Sequence, residues 1–132
     1  MESLEQKVCL DTDVVISILN KEERARTLID KIINLDVFIT TVNLFELLLR
    51  ENNLEQIEIF RNNVNILYFD EPSSRKASEI SKELKKNGMI IEFRDIFIAA
   101  TCIVNDCQLI TFNSKHFERI KELKLVRIEN EQ

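Results

Sequence analysis

The sequence predicts an α/β sandwich built from parallel βαβ units. Short, almost wholly apolar runs alternate along the chain with longer segments of helical periodicity, and no composition shift marks an internal boundary. There is no repeat, low-complexity tract or Pro/Gly/Ser linker, so residues 1–132 are expected to form a single domain. A chain of 132 residues with 45% hydrophobic content has the material for a core. At that length about two-thirds of the unfolded surface can be buried.

Lys7–Leu10 is a brief apolar run suited to a buried strand, and Asp11 follows it directly. Asp13 can cap or open a short helix over residues 14–19. Ala25, Leu28, Ile29, Ile32 and Ile33 recur at helical spacing, with Glu22, Glu23, Arg26, Asp30 and Lys31 facing out. Residues 37–40 form a second buried strand, and Thr41 can cap a helix through residues 44–50. A further helix is expected over 54–63 and a third strand over 66–69. Asp70-Glu71-Pro72 opens another helix, with Pro72 where a missing N–H costs nothing. Ala77, Ile80 and Leu84 give that helix its apolar stripe, and Asn87-Gly88 ends it. Phe93–Val104 is a nearly all-apolar helix, Gln108–Thr111 a strand, 116–123 a short helix and 125–128 a last strand, before a solvated tail at 129–132.

Composition excludes several chemistries. Gly88 is the only glycine, so no G-x-G-x-x-G fingerprint, P-loop or G-x-S-x-G elbow exists. His116 is the only histidine, which excludes H-E-x-x-H metalloproteases. The net charge of −5 argues against a general basic surface for nucleic acid. The first seven residues lack a basic segment leading into an apolar stretch, and no apolar run approaches the roughly 20 residues that span a bilayer. A cytoplasmic protein without a membrane segment is the expectation. Cys9, Cys102 and Cys107 are an odd number, and a zinc site from Cys102, Cys107 and His116 fits no common ligand spacing. They are expected to be plain buried thiols.

The informative residues are acids in apolar surroundings. Asp11 interrupts the first apolar stretch, Glu46 sits in Leu44-Phe45-Glu46-Leu47-Leu48-Leu49, and Asp95 precedes Ile96-Phe97-Ile98-Ala99-Ala100. Each could be a solvated cap or an ion-pair member. For Glu46 that is the weaker reading, because its helix is apolar nearly all round. Asp11 falls at the carboxyl end of a strand, where open α/β sheets collect ligands, and Asp95 at a helix N-terminus that favours an anion. Glu46 lies in the first two turns of the helix after the second strand, so the three can converge on one sheet edge. Such a cluster calls for a hard divalent cation, Mg2+ or Mn2+, which suits phosphodiester hydrolysis by neutralising the phosphate and activating water. Asn113 follows the 108–111 strand at the same edge, as a fourth, neutral member or a turn residue. Asp13 could support a metal or cap a helix. His116 could act as a general acid or phosphate contact, or be structural, and Arg94, Lys115 and Lys121 could engage phosphates.

At these residues the chain resembles the PIN-domain family, and most the VapC-type toxins of prokaryotic type II toxin–antitoxin pairs. The resemblance rests on residues 10–16 (Leu-Asp-Thr-Asp-Val-Val-Ile), 40–47 (Thr-Thr-Val-Asn-Leu-Phe-Glu-Leu), 94–100 (Arg-Asp-Ile-Phe-Ile-Ala-Ala) and 109–117 (Leu-Ile-Thr-Phe-Asn-Ser-Lys-His-Phe). It implies a three-layer α/β/α sandwich with a central, mainly parallel five-stranded sheet, and an Mg2+- or Mn2+-dependent endoribonuclease. It implies Asp11, Glu46 and Asp95 as metal ligands and catalytic residues with Asn113 assisting, a homodimer, an RNA substrate and a small VapB-like antitoxin partner. The chain departs from the family at two positions: Asp13 stands where Asn is frequent, and Asn113 where a fourth acid is usual.

Two alternatives stand beside this reading. Asp11-Thr12-Asp13-Val14-Val15 also fits the D-x-D-x-[TV] opening of haloacid-dehalogenase-like phosphohydrolases, with Asp11 as nucleophile and Asp13 as acid/base. That reading lacks a paired acid around Asp95 and leaves Glu46 unexplained. The other is a non-catalytic PIN-like binding module whose acids merely cap helices or pair with arginines.

Overall fold

A computed structural model describes residues 3–128, so the expected solvated tail at 129–132 lies outside the described residues. The elements are β1 (Lys7–Leu10), α1 (Thr12–Leu19), α2 (Glu23–Ile32), β2 (Asp36–Thr40), α3 (Thr41–Leu48), α4 (Leu54–Asn62), β3 (Asn65–Leu67), α5 (Glu71–Lys86), α6 (Phe93–Val104), β4 (Gln108–Thr111), α7 (Ser114–Phe117) and β5 (Leu125–Arg127). The five strands form one sheet in the order β3-β2-β1-β4-β5, and every neighbouring pair is parallel. The chain builds outward from β1 through β2 to β3, then returns to the other side of β1 for β4. The reversal opens a crevice at the carboxyl ends of β1 and β4, the place where α/β sheets bind ligands.

Alternation along the strands sends side chains to two cores. Val8, Leu10, Ile39 and Ile110 pack with Val14, Val15, Leu28, Leu47 and Ile57 of the first four helices on one face. Cys9, Leu67 and Leu109 pack with α5, α6 and the 117–123 segment on the other. Helices thus cover both faces of a parallel sheet, giving the three-layer sandwich expected. The three cysteines are free and buried, as small apolar residues would be. Burial, with the Cys9 thiol adding to it, holds the Cys107 thiol's pKa well above the ordinary range.

The structure departs from the sequence reading at several element ends. Helix α1 starts at Thr12, with Asp11 rather than Asp13 as its cap. Thr40, not Thr41, caps α3, and it does so in a reciprocal capping box with Asn43. Ile29 in α2 and Ile33 just after it are exposed although they share the apolar stripe. At about 100° per residue they lie on the far side of Ala25 from Leu28 and Ile32, so the stripe is wider than the contact. The helix expected at 116–123 is confined to α7; beyond it, Phe117, Ile120 and Leu123 are buried at a three-residue spacing carried by turns, with Ile120 N–H donating to Phe117 O at 3.0 Å and Leu123 N–H to Ile120 O at 3.2 Å. Strand β3 stops at Leu67, and Tyr68 is exposed. Helix α5 has its Asp70 cap, with Asp70 accepting from Ser73 N–H at 3.1 Å, and Pro72 in its first turn.

Gly88 ends α5 with φ at +71°, and a Cβ there would meet nothing within 4 Å. Gly88→Ala is therefore expected to destabilise the fold by about 1 kcal/mol through backbone conformation alone. Urea unfolding measures it; an unchanged midpoint would show that this turn relaxes at no cost.

Candidate active site

The carboxyl ends of β1 and β4 deliver Asp11 and Thr111 side by side. Asp11 N–H donates to Ile110 O at 3.0 Å, continuing the β1–β4 ladder one residue past the strand. The Asp11 carboxylate caps α1: Oδ1 accepts from Thr12 N–H at 2.9 Å, and Oδ2 from the Thr111 hydroxyl at 2.7 Å. Its exposure is only 7%. Burial pushes its pKa up to about 6, the two hydrogen bonds oppose the shift, and the like charges of Asp13 and Asp95 add to it.

Glu46 projects from the second turn of α3. Its Oε1 accepts from the Thr12 hydroxyl at 2.5 Å, while Oε2 lies 3.5 Å from the Arg94 guanidinium. Asp95 sits in the first turn of α6, with Oδ2 3.5 Å from His116 Nδ1. Burial raises the Asp95 pKa; nearby His116 opposes this, and the charges of Glu46 and Glu92 add to it. Asp95 thus feels Glu46, and Asp11 feels Asp95. The three acids singled out in the sequence share one electrostatic neighbourhood.

Asn113 lies at the cap position of α7, but its side chain does not cap that helix. Its N–H donates to the Thr111 hydroxyl at 2.9 Å, and its amide donates to Asp13 in a short hydrogen bond. The two positions at which the chain departs from the family pattern therefore touch each other. One carboxylate and one amide stand there, with the acid on α1 and the amide after β4.

The helix around Glu46 is apolar nearly all round as its sequence suggests, but the inference that this leaves little wet face is corrected: Phe45, Leu48 and Leu49 are exposed, so the apolar helix is not enclosed. What distinguishes Glu46 is its half-buried position facing Thr12. Arg94 is paired with Glu46 rather than free. His116 is exposed, and with Ile90, Ile91, Glu92, Asp95, Lys115 and Arg119 it lines a cleft of about 360 Å3. Sequence reasoning missed Thr12, Thr111 and Asn43, whose short polar side chains tie the acids to the framework. The available signals were a threonine at a strand end and an asparagine three residues after Thr40, in the place where Glu or Gln completes a capping box.

Among the described residues, no three His, Cys, Asp or Glu side chains form a ready-made metal cluster. The acids are nonetheless an all-oxygen donor set, the chemistry that suits Mg2+ or Mn2+, and each carboxylate oxygen retains accepting capacity beyond the single contact described.

The PIN domain model matches residues 8–123. Ribonuclease VapC1 of Methanocaldococcus jannaschii is 35% identical over 125 residues, covering 95% of this chain and 89% of that protein. Ribonuclease VapC1 of Haemophilus influenzae is 31% identical over 124 residues, covering 87% and 92%. A DNA-bound VapBC structure from Salmonella typhimurium superposes with a TM-score of 0.82 at 25% identity, covering 93% of this chain and 98% of that one. With its order of parallel strands and a match spanning nearly the whole chain, this protein belongs to the PIN-domain family as a VapC-like member.

Proposed function

We propose that the protein is a metal-dependent endoribonuclease, the toxin of a type II toxin–antitoxin pair, acting on RNA phosphodiester bonds at Asp11, Glu46 and Asp95. The observation that carries the reading is the buried Asp11 carboxylate, held beside other acids at the sheet's switch point at a cost to folding. The relatives named ribonucleases and the VapBC structures supply the activity and the partner class. Asp11, Glu46 and Asp95 would hold Mg2+ or Mn2+, which when bound polarises the phosphoryl oxygen and offsets its charge.

The chain's own groups do the positioning. Thr111 fixes Asp11, Thr12 fixes Glu46, and Asn113 assists by holding Asp13. Lys115 and Arg119, on the cleft beside Asp95, are placed to receive substrate phosphates. A small VapB-like antitoxin and a second copy of the chain are the proposed protein partners, and the cytoplasm the proposed compartment. No helix among the described residues is long and apolar enough to cross a membrane. The phosphohydrolase alternative needs Asp13 free as acid/base, whereas Asp13 is engaged by Asn113.

Incubation with single-stranded or structured RNA is expected to give internal cleavage with Mg2+ or Mn2+, none in chelator, and a loss on the order of 100-fold in Asp95→Asn. Cleavage indifferent to chelator and to Asp95→Asn would sink the site assignment. Release of phosphate from a monoester with an aspartyl-phosphate trapped at Asp11 would favour the phosphohydrolase, and partner binding without any hydrolysis the non-catalytic module.

Asp11 also ties the site to stability. Its native pKa of about 6 lies above the unfolded value, so the native state binds the proton more tightly and stability falls as pH rises through the interval between them. In chelator at pH 7.5, Asp11→Asn is expected to be more stable than wild type by roughly 2 kcal/mol, after allowing for one weakened hydrogen bond. The gap should close below pH 4, and Mn2+ should stabilise wild type but not the variant. Urea unfolding across pH reads all three; a variant less stable than wild type in chelator at pH 7.5 contradicts the argument.

A further inference from the structure

We infer that Thr12 and Asn43 are positioning residues that hold the Glu46 carboxylate in fixed relation to Asp11, through a chain of hydrogen bonds whose direction is set by one backbone N–H. The inference rests on the proposed RNA-cleaving site and names what aligns two of its acids.

The direction of the chain follows from its first member. The Thr40 backbone N–H can only donate, and it donates to Asn43 Oδ1 at 2.9 Å. The Thr40 hydroxyl donates to the same oxygen at 2.7 Å while accepting from Asn43 N–H at 3.1 Å. Those contacts decide which end of the Asn43 amide is oxygen, so its Nδ2 must face Thr12, and it donates to Thr12 Oγ1 at 3.0 Å. The Thr12 hydroxyl is then an acceptor on that side, and its own proton points to Glu46 Oε1 at 2.5 Å. The Thr12 backbone N–H meanwhile donates to Asp11 Oδ1 at 2.9 Å. A single residue at the start of α1 thereby grips both acids, one through its main chain and one through its hydroxyl.

Chemistry explains why an amide occupies position 43. An Asp or Glu there could also cap Thr40, but it would present only acceptors to Thr12. The Thr12 proton would turn toward that carboxylate, and Glu46 would lose its donor. Thr40 and Asn43 are both fully buried at 0% exposure, so water does not substitute for a missing link at that end of the chain. Among the described residues, the hydrogen bonds of the network reach neither Asp95 nor the residues that line the cleft, so it acts through Glu46 and Asp11.

The test uses the full chain purified free of metal, with Mn2+ binding followed by calorimetry and RNA cleavage resolved into kcat and KM. Thr12→Val and Asn43→Asp are expected to weaken Mn2+ binding about 10-fold or more and to lower kcat with KM little changed. Thr12→Ser keeps the hydroxyl and is expected to retain Mn2+ affinity and kcat. In metal-free wild type, the Asn43 side-chain amide protons should be resolved by NMR and slow to exchange. Exchange at the rate of a free amide overturns the inference even where a variant does not fold. If Glu46→Gln loses Mn2+ binding while Thr12→Val and Asn43→Asp behave as wild type, the positioning inference falls alone. If Glu46→Gln also binds and cleaves as wild type, the reading of the site falls with it.

Discussion

The rest of the structure is arranged around one constraint: a carboxylate buried where the sheet reverses its winding. Asp11 stands one residue beyond β1, between strands whose connections leave in opposite directions, and a chain that places an acid there must satisfy it from both sides. It does so with the Thr12 N–H from the helix that follows β1 and the Thr111 hydroxyl from the strand beside it. The second donor is fixed by the sheet register, in which Leu10 pairs with Ile110 and so brings Asp11 level with Thr111. The same burial that orients the acid also raises its pKa, so position and cost have one origin.

The partners of the acids fall into two kinds. The short contacts come from neutral groups: Thr111 to Asp11 at 2.7 Å and Thr12 to Glu46 at 2.5 Å. The charged groups stand farther off, Arg94 3.5 Å from Glu46 and His116 3.5 Å from Asp95. Hydroxyls orient a carboxylate without neutralising it, so most of the negative charge stays unspent at the sheet edge. In the proposed reading that division suits a site for a cation, whereas structural ion pairs gain from short, bidentate geometry. Asp13 and Asn113 belong to the same framework: joined to each other, they brace α1 against the turn after β4.

The fold was legible because its signals are local. The apolar runs at Lys7–Leu10 and Gln108–Thr111 and the helix Phe93–Val104 have the boundaries their sequences suggest. The three acids stood out because each interrupts an apolar run. Their partners could not be read the same way. Thr12 and Thr111 meet their acids only after register and helix phase are fixed, and a threonine at an element boundary carries no mark of what it will touch. Asn43 was hidden for a related reason: a capping box is defined within one helix, whereas the free end of its amide reaches a different one. The helix expected at 116–123 failed because Phe117, Ile120 and Leu123 can be buried by turns as well as by a helix.

The net charge of −5 bears differently on this fold than on the bare sequence. Charge counted over a whole chain governs long-range, salt-dependent attraction, and an acidic protein has none to offer an anionic polymer. Recognition must then be local, over distances shorter than the ~10 Å at which salt screens exposed charges. The geometry supplies the pieces at that range: an acidic centre that a divalent cation would offset, and Lys115 and Arg119 on the wall of the cleft that Asp95 shares. In the proposed reading Lys115 and Arg119 meet a phosphate beside the acids, where the scissile bond must lie.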